Sequence, residues 1–209
     1  MNWSDSTQKK TAKEDFAYLE IEGGAGFNWG TLYFFSDIEN PTQSWDDSPQ
    51  SDLRFTIKPV VDIKIAQGLS LHFQDFSLYS KEFYINNVIT GLSYDVANTL
   101  GIVFKPFIGF HYQTSTYYSG FNGYMAGWIL FYNFSVKKQK FTLSQWHEHT
   151  IARDQDDGYE NHIGTQGALA LCWNINSTVT TGLQYRYASY ALGEQSYQNG
   201  LIYSLKYNF

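Results

Sequence analysis

The run from Leu53 to Ile65 constrains this chain more than any other feature. Leu53, Phe55, Ile57, Pro59, Val61, Ile63 and Ile65 alternate with Arg54, Thr56, Lys58, Val60, Asp62 and Lys64. In a strand, successive side chains face opposite sides, so one face is apolar throughout and the other carries three basic residues and one acid. A tilted strand of about ten residues crosses the hydrocarbon of a membrane, whereas soluble strands average about five or six. A soluble two-sheet sandwich can use this pattern but rarely needs strands so long. Lipid against the apolar face and water against the polar one is the arrangement of a transmembrane barrel.

The alternation recurs. Leu201, Tyr203, Leu205, Tyr207 and Phe209 alternate with Ile202, Ser204, Lys206 and Asn208. Val179 to Tyr187 and Ile163 to Trp173 repeat it. The pattern predicts strands near Asp15–Gly26, Trp29–Ile38, Leu53–Ala66, Leu69–Tyr79, Phe83–Tyr94 and Leu100–Thr114. Others fall near Phe121–Val136, Lys140–His147, His162–Trp173, Ser177–Tyr190 and Gln198–Phe209. Short connectors at Phe27-Asn28, Ala66-Gln67-Gly68, Ala97-Asn98, Lys137-Lys138-Gln139 and Asn174-Ile175-Asn176 contrast with long polar ones at Glu39–Asp52 and Glu148–Asn161. Bacterial single-chain barrels have an even number of strands and carry their long loops outside the cell. Eleven strands therefore need a twelfth, which Met1–Glu14 supplies as a short, weak strand; otherwise one of the eleven is not a strand, the count is ten, and Met1–Glu14 is disordered. The expected fold is all-β: one antiparallel up-and-down transmembrane barrel of twelve strands, with residues 1–209 as a single domain.

Composition agrees. Aromatic residues make up 19 % of the 209 residues and charged residues 16 %, against about a quarter charged in a soluble domain. No apolar run reaches the roughly 18 residues of a spanning helix. The single Cys172 excludes an intramolecular disulfide, and a net charge of −6 without a basic stripe argues against nucleic-acid binding. Met1-Asn2-Trp3-Ser4 has neither the basic nor the apolar region of a signal peptide, so the chain reads as a mature, exported form. The expected location is the outer membrane of a Gram-negative bacterium, in contact with lipid and lipopolysaccharide. The outward Trp173, Tyr185, Tyr187, Tyr203, Tyr207 and Phe209 fit aromatic girdles at the two interfaces. Terminal Phe209 after an alternating strand resembles the signal read by the barrel assembly machinery.

One cluster invites an enzyme reading. His147-Glu148-His149 lies near Asp154, Asp156, Asp157 and His162, and two His at i and i+2 share a strand face that could hold zinc with a carboxylate. The segment runs into a long polar loop, where such groups are commonly just solvated. The chain is therefore expected to be no enzyme and to need no metal or cofactor.

Asp15-Phe16-Ala17-Tyr18-Leu19-Glu20-Ile21-Glu22-Gly23-Gly24, followed by Leu32-Tyr33-Phe34-Phe35-Ser36-Asp37, resembles the Tsx-like nucleoside-channel family, which includes the OmpK phage-receptor porins. The resemblance continues at Leu69-Ser70-Leu71-His72-Phe73, Glu82-Phe83-Tyr84-Ile85-Asn86-Asn87 and Phe121-Asn122-Gly123-Tyr124, and spans Tyr18 to Phe209. It implies a narrow channel for passive, selective diffusion of nucleosides or similar small polar solutes. A nucleoside has a flat π face and several hydroxyls, so its site needs stacking surfaces beside hydrogen-bonding groups. Strand parity turns Phe16, Tyr18, Glu20 and Glu22 inward, then Tyr33, Phe35 and Asp37, then Arg54 and Lys58. Tyr84, Asn86, Tyr124 and Trp128 are expected to add aromatic and amide groups to the lumen. The competing class is a non-conducting barrel with a plugged lumen, whose exposed loops act as a receptor or adhesin for phage or host.

Overall fold

The alternation becomes a wall through its register. The structure, a computed structural model, describes residues 1–46, 52–96 and 100–209. Among these, β1 (Asn2–Trp3) and a short helix α1 (Asp5–Lys10) precede β2 (Tyr18–Phe27), β3 (Gly30–Glu39), β4 (Arg54–Lys64), β5 (Leu69–Tyr79) and β6 (Tyr84–Tyr94). Then come β7 (Ile102–Ser115), β8 (Ser119–Val136), β9 (Gln139–Ile151), β10 (Gly164–Asn174), β11 (Val179–Ser189) and β12 (Gln198–Tyr207). From β2 to β12 each strand pairs antiparallel with the next, forming a single curled twelve-stranded sheet whose order is completed by β1 against β12. Among the described residues, no helix is long and apolar enough to cross a membrane.

The inside of the curl is polar. Thr56, Asp62, Ser70, His72, Gln74, Ser93, Lys105, His111, Gln113 and Glu148 are all buried, alongside a small apolar cluster of Ile89, Phe107 and Met125. The alternate residues Phe55, Ile57, Ile63, Leu71, Phe73, Ile108 and Phe110 point outward and are exposed. This inversion of the soluble pattern is what lipid outside and water inside require. Connections at one end are short, as at Ala66–Gly68, where Gly68 has φ +76° and a Cβ would lie 2.9 Å from the Tyr94 ring. Longer connections lie at the other end, including residues 152–163 with a 3₁₀ turn at Gln155–Asp157. The expected short turn at Ala97-Asn98 lies outside the described residues.

The curl closes at one level only. Asn2 and Trp3 pair with Leu201 and Gly200, while Met1 and Phe16 exchange both backbone hydrogen bonds. Met1–Glu14 thus supplies the short first strand, and α1 follows because Ser4 caps it, its Oγ accepting from Thr7 N–H. Toward the short-turn end, β2 and β12 face one another unpaired, and Lys206 reaches from β12 to Glu22 and Glu20 on β2. The outward side chains beside this seam show the gap. Leu19, Ile21, Tyr203, Leu205 and Tyr207 are 63–79 % exposed, against 38 % for Ile57 and Leu71 elsewhere on the wall. Unpaired strand edges leave backbone N–H groups without partners. In detergent micelles, amide hydrogen exchange is therefore expected to be fast along the seam-facing edge of β12 from Ile202 to Tyr207 and slow in β5–β9. Equal protection in both regions would show the seam to be sealed.

Two local readings are corrected by register. The strand expected from Phe121 already begins at Ser119, and it uses Asn122-Gly123 as a bulge. Phe110 pairs with Tyr124 and Tyr112 with Phe121, leaving one extra residue on β8. Gly123 takes φ +76°, and a Cβ there would meet Ile151 O at 2.3 Å. The second correction is the end of β9. It continues past His147 to Ile151, paired with both β8 and β10, so Glu148 belongs to the wall and not to the loop.

Candidate functional site: a polar bridge across the lumen

Glu148 is the centre of the interior. It projects inward from β9 and meets β4 and β5 on the facing wall. Lys58 Nζ donates to its Oε1 at 2.5 Å and Gln74 Nε2 to the same oxygen at 2.8 Å. From the neighbouring β10, Gln166 Nε2 donates to Oε2 at 2.8 Å, and Arg186 Nη2 on β11 donates to Gln166 Oε1 at 3.0 Å. Two residues along β9, the Trp146 ring lies under both cations, with Arg186 at 4.3 Å and Lys58 at 5.4 Å from its centroid. A buried carboxylate is tolerated when it is ion-paired and its lone pairs are filled. Residues of five strands meet here in a charged, hydrogen-bonded bar across the lumen.

Two further layers flank it. Nearer the short turns, Asp62 accepts from His72 Nδ1 at 2.8 Å, Ser93 Oγ at 2.6 Å, Thr31 Oγ1 at 3.2 Å and Lys105 Nζ at 3.0 Å. His72 stacks on Phe107 with centroids 4.5 Å apart. Beside the seam, Glu20, Glu22 and Asp37 form an acidic wall with Tyr33, whose OH donates to Glu22 at 3.3 Å. Asp37 lies directly opposite Glu20 in the β2–β3 register, so the two carboxyl groups are set side by side. At the long-loop mouth, Arg54 pairs with Glu39 at 2.9 Å and lies 5.3 Å from the Phe16 ring, which itself is 6.2 Å from Tyr18. The opposite mouth widens into a pocket of about 400 Å³ lined in part by Lys140, Asn174, Thr180 and Asn208.

The bulge ties a loop into the upper mouth. It aims Asn122 inward, where its amide donates to Gln113 at 3.0 Å and Asp157 at 3.1 Å while its oxygen accepts from Asp154 N–H at 2.9 Å. Arg153 is buried beside Asp157, with its guanidinium 4.1 Å from the Tyr159 ring. Burial lowers the Arg153 guanidinium from its ordinary value, opposed by the Asp157 charge, and burial pushes the Tyr159 phenol up.

Of the residues expected in the lumen, Tyr18, Glu20, Glu22, Tyr33, Phe35, Asp37, Arg54 and Lys58 share the inner face through the β2–β3–β4 register, with Phe16 at its upper rim. Tyr84, Asn86, Tyr124 and Trp128 do not. Asn86 pairs with Ser77 and Tyr84 with Tyr79 on the outer face, while the adjacent Asn87 points in and bonds His111 at 2.8 Å. Tyr124 and Trp128 alternate with the buried Met125 and Gly127 and so face outward. Both errors come from period 2, where a one-residue slip exchanges the faces. Strand alternation also sends His147 and His149 out and Glu148 in, so the three share no site. Trp146, Gln166 and Arg186 were missed as site residues. The signal for them was the inward series Thr142, Ser144, Trp146, Glu148, which becomes visible once β9 is carried to its full length.

A single up-and-down sheet with an apolar outside, aromatic rims and a polar, charge-laced interior defines an outer-membrane channel of the porin type. The family described as "Nucleoside-specific channel-forming protein, Tsx" matches residues 1–209, and the chain belongs to that family. Among solved structures it is similar to one described as "NanC porin structure in rhombohedral crystal form", with a TM-score of 0.54 and 12 % identity, covering 92 % of this chain and 93 % of that one. At that identity the likeness speaks for the fold. The protein is an outer-membrane β-barrel channel for diffusion of small solutes.

Proposed function

We propose that nucleosides cross this channel by exchanging their own hydrogen bonds and stacking contacts for those of the Glu148 bridge. The observation that carries this reading is the Trp146 ring set beside Glu148, Gln166 and Arg186 at the constriction. A base competes with the looser Lys58 contact for the indole face, a cation–π contact of roughly 0.5–2 kcal/mol. The sugar hydroxyls need acceptors, and the carboxyl groups of Glu20, Glu22 and Asp37 on the acidic wall offer them. Tyr18, Tyr33 and Phe35 offer further stacking surface along the same wall. Arg54 and Lys58 keep the acidic wall from being uniformly negative, so a neutral, polar solute meets both donors and acceptors. Outward, fully exposed Phe209 ends β12's alternation and serves, in this reading, as the signal for the barrel assembly machinery.

The test is single-channel conductance of the refolded protein in a planar bilayer, with adenosine or thymidine titrated in. Small, stable openings that the nucleoside blocks at micromolar to millimolar concentration are the expected result. Absence of openings from protein shown to be folded would mean a plugged barrel, and the loop-receptor reading would take its place.

A further inference from the structure

The lumen wall at the short-turn mouth carries a relay of hydrogen bonds that all run one way. Asn208 Nδ2 donates to Thr180 Oγ1 at 3.2 Å, and Thr180 Oγ1 donates to Asn174 Oδ1 at 3.0 Å. Asn174 Nδ2 donates to Thr142 Oγ1 at 3.0 Å, and Thr142 Oγ1 to Asn133 Oδ1 at 2.7 Å. Register sets Asn133 opposite Thr142 and Lys140 opposite Asn174, on the inward face that carries Glu148 further along β9. The recess of about 400 Å³ at this mouth also takes in Lys138, Asn176 and Ser177. A recess of about 200 Å³ adjoins it, sharing Lys140 and Asn174 and reaching Asn133. Together they have the size of a small-ligand site.

The relay sorts donors from acceptors. It fills the oxygens of Asn133 and Asn174. Gln139 Oε1 accepts from Trp173 Nε1 at 2.8 Å, and Asn176 Oδ1 accepts from the backbone N–H groups of Thr178 and Val179, both at 2.8 Å. A side-chain amide has one oxygen and two N–H groups. The four oxygens are thus spent on the protein. The amide N–H groups of Asn133, Gln139 and Asn176 have no partner among the described residues, and Asn174 has one left over. Asn208 alone runs the other way, giving an N–H to Thr180 and keeping its oxygen. Lys138 and Lys140 enter no ion pair among the described residues, and no Asp or Glu lines either recess. On the neighbouring β2, Glu20 and Glu22 are engaged by Lys206.

We propose that this mouth binds the phosphate group of a solute in the water-filled path, inorganic phosphate being the smallest. Free N–H groups beside two ammonium groups offer an anion many donors and a cation little. A phosphate monoester carries about −1.5 to −2 charges at pH 7 and three acceptor oxygens, which suits two lysines. A carboxylate brings one charge and two oxygens. Lysine groups lining a pore select anions and phosphate in this way. Short turns face the periplasm in outer-membrane barrels, so the site stands at the inner end of the path. It lies apart from the Glu148 bridge, and the inference is independent of what that bridge binds.

The test is the single-channel current of the full chain in planar phospholipid bilayers. Inorganic phosphate replaces chloride at constant ionic strength, on one side at a time. Phosphate on the short-turn side is expected to block saturably, and phosphate on the long-loop side to block far less. The double variant Lys138→Gln with Lys140→Gln should raise the half-blocking concentration about tenfold or more, as loss of charged hydrogen bonds requires. Asn133→Ala removes two N–H groups and no charge, and should raise it about threefold or more. In maltoside micelles, broadening of the phosphorus resonance of inorganic phosphate should weaken in the same order. Equal block from both sides, or block indifferent to Asn133→Ala, would reduce the lysines to diffuse surface charge and overturn the site. Broadening in micelles without block in bilayers would assign the recess to lipid phosphate, which overturns it as a solute site.

Discussion

Glu148→Ala is expected to widen the channel and weaken the barrel at once. In the native protein the carboxylate holds Lys58 and Gln74 from the facing wall and Gln166 from its own side. Alanine removes the bar and leaves the half-buried Lys58 without its counter-ion, with Arg186 close by. Breaking one partner of a buried ion pair costs about 3–5 kcal/mol, because the remaining charge stays desolvated. Urea unfolding in micelles should register a loss of that size. Conductance should rise by about twofold or more, and the reversal potential in a salt gradient should move toward anion selectivity, since the unopposed charges at the constriction are positive. Glu148→Gln keeps the shape and some of the hydrogen bonds, so it should share the selectivity shift with a smaller loss of stability. A Glu148→Ala channel with unchanged conductance and reversal potential would place the constriction elsewhere.

The parts of this molecule that were legible in the sequence are those governed by local period. Leu53–Ile65 shows which face of β4 meets lipid, and cross-strand register then carries the same orientation to Phe35, Asp37, Glu20 and Glu22. Where a strand carries polar residues on both faces, local pattern loses its force. Asn86-Asn87 permits either parity of β6, and only pairing with β5 puts Asn87 inside. Within β8, the Asn122-Gly123 bulge shifts the phase, so parity read from one end gives the wrong face at the other. Glu148-His149 reads as the start of a polar loop because it follows His147 with two further polar residues. Two strands pairing along its length make it wall. The cross-lumen contact has no periodic signature at all. Lys58 and Glu148 are 90 residues apart, and they meet only because the sheet curls.

Trp146→Ala is expected to weaken nucleoside block more than any other aromatic substitution, and Trp128→Ala to leave it unchanged. The two tryptophans sit on adjacent strands, each in an alternating run, yet one lies under Arg186 in the lumen and the other bonds Gln145 on the outer wall. Base–aromatic stacking is worth about 1–3 kcal/mol, which corresponds to a rise of about 5- to 150-fold in the dissociation constant for block. Single-channel titration with one nucleoside reads this directly. Conductance without nucleoside should change little in Trp128→Ala, because its side chain is outside the water-filled path. It should rise modestly in Trp146→Ala, because Lys58 and Arg186 lose the surface on which they rest while Glu148 still holds the bar. Equal weakening by both substitutions would mean that block responds to wall packing and not to stacking at Trp146. Weakening by Trp128→Ala alone would reverse the parity of β8.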